Sequence, residues 1–133
     1  MATTPLMRDE DLSPEAKAVF DDIRATRGTD FVNNVWRALA FHPEELKRTW
    51  EKAKEVMGTP GALDPVTREM IYIAVSIANG CSYCVHSHTA FARAKGMTED
   101  QYRELVSIVM MASSTNALAT ALQVPVDKEF LAD

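Results

Sequence analysis

The stretch Gly80-Cys81-Ser82-Tyr83-Cys84-Val85-His86-Ser87-His88 gathers the side chains of this chain best suited to covalent chemistry. Cys81 and Cys84 are its two cysteines. On a helix each residue advances about 100°, so with Cys81 at zero Cys84 falls at about 300° and His88 at about 340°. His86 falls at about 140°, on the far side. The spacing pairs His88 with the cysteines and sets His86 aside.

A cysteine in the first turn of a helix feels unsatisfied backbone N–H groups and the positive end of the dipole, which favour thiolate over thiol. An imidazole one turn further on strengthens the effect as a base or as a cation. Thiolate is the attacking species, so Cys84, one turn before His88, is the candidate nucleophile. Cys81 then attacks the oxidised Cys84 and closes a disulfide. Two intervening residues on a helical turn bring the sulfurs within bonding reach. This chemistry runs on the thiols and requires no cofactor or metal.

Two other readings stay open. Cys81, Cys84 and His88, with His86 or Glu69, can supply zinc ligands, although a second C-x-x-C or an H-x3-H partner is missing. The cysteines can also be small buried hydrophobes. Covalent haem attachment is excluded, because Val85 stands where it needs a histidine.

Glu69 is the further candidate. Acidic residues are common in first helical turns for electrostatic reasons alone. If the chain folds back at Gly80, however, Glu69 lies eleven residues before the turn and His88 eight after it. An offset of three residues is ~4.5 Å along the axes. Glu69 can then reach His88 directly or through one water, giving a Cys84–His88–Glu69 relay of the nucleophile–base–orienter type.

The elements that must position these residues read as helices. Ser13-Pro14-Glu15 opens a helix that Gly28 closes. Asp30 caps a second over 31–41, and Pro43 starts a third over 43–57, ended by Gly58. Residues 58–64, GTPGALD, form the clearest loop. Asp64-Pro65 starts the next helix, whose run 70–78, MIYIAVSIA, is apolar apart from Ser76. A strand is the rival there, because Ile71, Ile73, Val75 and Ile77 alternate. A fifth helix covers 82–95 and stops at Gly96. Thr98-Glu99-Asp100-Gln101 is a capping box for a long sixth helix to 121, broken before Pro125, with a short terminal turn after it. The expectation is one all-α domain over 1–133 with six or seven helices. Residues 105–112, LVSIVMMA, are apolar around most of the circumference, as expected of a helix that crosses the core or lies in a subunit interface. Trp36 and Trp50 read as core or interface aromatics, and His42 as a helix-start residue.

Composition narrows the function classes. With 47% apolar and 25% charged residues the 133-residue chain is ordinary globular protein. A net charge of −5 and no Lys/Arg run argue against nucleic acid and anionic lipid as partners. No stretch nears the ~18 apolar residues of a membrane span. The first residues lack the pattern of a secretion signal, so a cytoplasmic location is expected. In that reducing setting a close cysteine pair reads as catalytic, redox-sensing or metal-binding, not as a staple.

Glu69, eleven residues, Cys81-Ser-Tyr-Cys84, three residues, His88 resembles the signature of the alkylhydroperoxidase D (AhpD)-like proteins of the carboxymuconolactone decarboxylase superfamily. The run Ala94-Lys95-Gly96-Met97-Thr98 and the stretch from Arg68-Glu69 to Gly80-Cys81 are similar to that family too. The likeness covers about 60–125 and, more loosely, the N-terminal half. It implies an all-helical AhpD-like fold, assembly into homo-trimers or hexamers, and thiol-dependent reduction of a small hydroperoxide. It also implies that a dithiol or protein reductant recycles the pair. In such proteins the second cysteine attacks peroxide, the first resolves it, and glutamate and histidine relay the proton: here Cys84, Cys81, Glu69 and His88. Some members have a histidine before the second cysteine, where this chain has Tyr83. A lactone decarboxylase of the sister branch is the alternative enzyme, although its acid–base chemistry has no use for a cysteine pair. A non-catalytic redox-sensing or zinc-bound interaction module is the third reading.

Overall fold

The computed structural model describes residues 1–132. Among them every regular element is helical. The chain forms two compact units, one over Met1–Thr59 and one starting at Pro60, each with its own apolar core. The break falls in the expected loop.

The first unit holds α1 (Pro14–Arg27), α2 (Asn34–Leu39) and α3 (Pro43–Ala53). The Ser13 hydroxyl accepts from the Ala16 N–H at 3.1 Å, and Pro14 occupies the first position, where a missing N–H costs nothing. Ala16, Val19, Phe20 and Ile23 form the buried stripe and pack with Trp36, Leu46 and Trp50. The two tryptophans meet edge to face at 5.5 Å. His42 starts α3 as expected, its Nδ1 accepting from the Glu45 N–H.

Two boundaries differ from expectation. The second helix begins at Asn34, not near Asp30, because the carbonyls of Asp30 and Val32 accept from the side chains of Arg24 and Arg37 instead of from helical N–H groups. The third ends its α-helical part at Ala53 and finishes as a wider π-type turn over Lys54–Gly58.

The second unit holds α4 (Pro65–Ala78), α5 (Ser82–Ala94) and α6 (Glu99–Ala121), with α4 packed on both others. Asp64 caps α4, accepting from the Thr67 N–H at 2.9 Å. The segment that alternated on paper is a helix. Ile73 is buried while Ile71 and Val75 are exposed, whereas a strand would put all three on one face.

Gly80 turns the chain with φ +69°, a conformation that costs a residue bearing a Cβ about 1–2 kcal/mol. The Gly80 N–H donates to Ile77 O and the Cys81 N–H to Ser76 O, so the last carbonyls of α4 are satisfied. Gly96 repeats the device at the end of α5. The Thr98–Gln101 capping box then opens α6 with both reciprocal bonds made.

Along α6, Leu105 is buried and Tyr102, Val106 and Val109 pack on Ile73, Ala92 and Met97. Ile108, Met110 and Met111 are exposed, as are Leu118 and Leu122 beyond them. The apolar circumference therefore divides into a core stripe and an uncovered one. No helix among the described residues is long and apolar enough to cross a membrane.

Candidate functional site

Cys81 stands at the N-cap of α5 and Cys84 in its first turn. The two are disulfide-bonded. The Cys81 Sγ accepts a hydrogen bond from the Cys84 N–H at 3.3 Å, so the first cysteine takes the capping role usually filled by an oxygen. Both cysteines are partly exposed.

His88 follows Cys84 by four residues on α5, one helical turn further on. Its Nδ1 lies 2.6 Å from Oε2 of Glu69, the direct contact that the hairpin count allowed. Because α4 and α5 are antiparallel neighbours joined by the tight Gly80 turn, their register is set by the turn itself. His86 is exposed. Tyr83 is exposed as well.

Glu69 shares the buried stripe of α4 with Ile73 and Ser76, and only 2% of it is exposed. A carboxylate there needs compensation. Burial pushes its carboxyl upward, but hydrogen bonds from His88 and Lys95, with their charges, outweigh burial and hold it below the ordinary value. An ionised carboxylate can only accept, so the proton of this contact sits on Nδ1 of His88. Nε2 of the neutral ring is then a lone-pair acceptor.

Three neighbours of this pair escaped sequence reasoning. Lys95 Nζ donates to Oε1 of Glu69 at 2.5 Å. Tyr72 stacks on the His88 ring at 3.6 Å, and Phe91 meets it edge-on at 5.6 Å. Helical spacing carried the signal. Tyr72 is three residues after Glu69, Phe91 three after His88, and Lys95 seven after His88, two turns along the same face.

Among the described residues no three His, Cys, Asp or Glu side chains are grouped so as to hold a metal ion. The arrangement can take a proton from a thiol one turn away, hold it on the imidazole, and stabilise the cation through the buried carboxylate.

Residues 43–127 match the carboxymuconolactone decarboxylase family. An alkyl hydroperoxide reductase AhpD from Solibacter usitatus is 29% identical over 95% of this chain, which spans 73% of that protein. The AhpD of Azorhizobium caulinodans is 32% identical over 83% of the chain, and that of Maricaulis maris 37% identical over 84%. The chain spans 61% and 62% of the length of these two relatives. The crystal structure of the alkylhydroperoxidase AhpD core from Rhodospirillum rubrum is 65% identical, covers 100% of this chain and superposes with a TM-score of 0.97.

Proposed function

The chain belongs to the carboxymuconolactone decarboxylase family, and from that premise we propose that it is a thiol-dependent hydroperoxide reductase of the AhpD type. The observation that carries the reading is the 2.6 Å contact between Glu69 and His88 one turn beyond a bonded Cys81–Cys84 pair.

In the reduced protein Cys84 gives its proton to Nε2 of His88 while Glu69 stabilises the imidazolium. The thiolate attacks one peroxide oxygen, the O–O bond breaks, and the departing alkoxide takes the proton from His88 to leave as an alcohol. Cys84 becomes a sulfenic acid. Cys81 attacks it, water leaves, and the disulfide forms. Two electrons have passed from two thiols to the peroxide, and an external dithiol, small or protein-borne, restores the pair. The bonded pair in the structure corresponds to the end of this cycle. Relatives that carry the AhpD name over most of the chain support the reading.

The whole-chain likeness to the AhpD core supports treating residues 1–133 as one such domain. The exposed stripe of Ile108, Met111, Leu118 and Leu122 supports self-association into a trimer or hexamer. A reducing compartment, the cytoplasm, suits a pair that must return to dithiol.

The test is to treat reduced protein with sub-stoichiometric organic hydroperoxide and map the products by mass spectrometry. The expected product is the Cys81–Cys84 disulfide, with a sulfenic acid on Cys84 when Cys81 is replaced by serine. Full turnover by Cys84→Ser overturns the assignment. Activity on a carboxylated lactone that survives loss of both cysteines favours the decarboxylase instead.

A further inference from the structure

Glu69 is clamped from both ends. His88 holds Oε2, and Lys95, two turns further along α5, holds Oε1. The backbone of Lys95 is itself fixed. It is the C-cap of α5, and the next two N–H groups, of Gly96 and Met97, return to Arg93 O and Ala92 O. Its side chain leans back along the helix toward the carboxylate and is 36% exposed. We propose that Lys95 is a positioning residue of this site, supplying the countercharge that lets the buried Glu69 carboxylate keep Oε2 on Nδ1 of His88. The proposal rests on the peroxidase reading for its catalytic meaning, not for its electrostatics.

The reason lies in the tautomer. A carboxylate accepts from Nδ1–H and leaves Nε2 as the acceptor for a thiol proton. A protonated carboxyl instead donates to Nδ1, puts the ring hydrogen on Nε2, and removes the acceptor. Which form exists depends on what offsets burial, since the Glu69 side chain is 3% exposed. The imidazole alone cannot serve, because the cycle needs it neutral before the thiol ionises. Lys95 is a cation throughout. His88 and Lys95, both from α5, are the titratable groups that meet Glu69; α4 contributes Tyr72 over the His88 ring, and α6 packs on this core through Tyr102, Val106 and Val109. A lysine at a helix C-terminus also offsets the dipole, and in that role alone it would leave Glu69 untouched.

The test uses the full chain as wild type, Lys95→Met and Lys95→Arg, with Lys95→Gln as a second neutral variant in case the methionine form fails to fold. The first readout is the pH midpoint of the Glu69 carboxyl carbon by NMR in the oxidised protein, assigned with Glu69→Gln. The second is the pH profile of peroxide-dependent dithiol oxidation. Neutralising Lys95 should raise the Glu69 midpoint by about one pH unit or more, and the acid limb of kcat/KM should rise with it, about tenfold in activity below the limb. Lys95→Arg, which keeps the charge, should stay close to wild type in both. An unchanged Glu69 midpoint in the neutral variants overturns the proposal. A raised midpoint in a protein whose wild type never oxidises its cysteines with peroxide upholds the electrostatic pairing and removes the peroxidase reading.

Discussion

Tyr72 lies flat on His88, with ring centroids 3.6 Å apart and planes 20° apart. Phe91 closes another side of the imidazole at 84° to it. The ring is therefore held by a carboxylate at Nδ1 and by aromatic walls against its face and its edge.

Tyr72→Ala should slow peroxide-dependent oxidation about tenfold by letting the imidazole rotate, whereas Tyr72→Phe, which keeps the stacking face, should lie within about twofold of wild type. Steady-state turnover of the two variants decides it. Equal losses in both would assign the effect to the hydroxyl.

Glu69→Gln keeps the shape and removes the anion, so the imidazolium loses its partner and kcat/KM should fall about 10²-fold or more. Stability carries a second signature. The folded Glu69 carboxyl is held below its ordinary value of 4.5, so its contribution is fully present above that pH and is lost as pH falls through the lower folded value. Urea unfolding at a series of acid pH values should show a shallower loss for Glu69→Gln than for wild type below about pH 4.5. Parallel losses would show that the pair adds nothing to acid stability.

Gly80→Ala should destabilise the protein by about 1–2 kcal/mol, read as a lower urea midpoint with unchanged slope. An added Cβ meets nothing within 4 Å, so the cost is the left-handed backbone and not a clash. Gly80→Asn, which tolerates that conformation better, should recover part of the loss.

Met111→Glu and Leu118→Glu each place a charge on the uncovered stripe of α6 while leaving the core stripe through Leu105 and Val109 intact. Sedimentation velocity at micromolar concentration should show a smaller species for each variant than for wild type. A wild type that sediments as a monomer would remove the assembly altogether.

Much of this was legible because the signals are local. Helix starts at Ser13, Asp64 and Thr98 depend on a side chain reaching an N–H three residues on, and each reads from the chain and forms as read. Asp30 misled because Arg24 and Arg37, long side chains from the helices on either side, intercept the carbonyls around it, which no capping pattern reveals. The apolar ring at 105–112 pointed to a helix that crosses the core or lies in a subunit interface, yet only a partner helix could determine which residues fill the core. Tyr102, Leu105, Val106 and Val109 do so because α4 packs there, and that leaves Ile108 and Met111 outside.

The site divides in the same way. Cys81, Cys84 and His88 share one helix, so a rotation of about 100° per residue aligns them before any folding is considered. The Glu69–His88 contact needs two helices, but one short turn with a positive-φ glycine joins them, and counting from Gly80 was enough to find it. Lys95, fifteen residues after Gly80, falls within the same count, but nothing in the chain marked it or Tyr72 out. A half-exposed lysine at a helix end looks like any other in sequence, and a tyrosine on an apolar helix looks like packing. Only the approach of the two helix faces shows that one meets the buried carboxylate and the other covers the imidazole. Periodicity determines which face a residue occupies; the packing of that face against another determines the charge and the ring it meets.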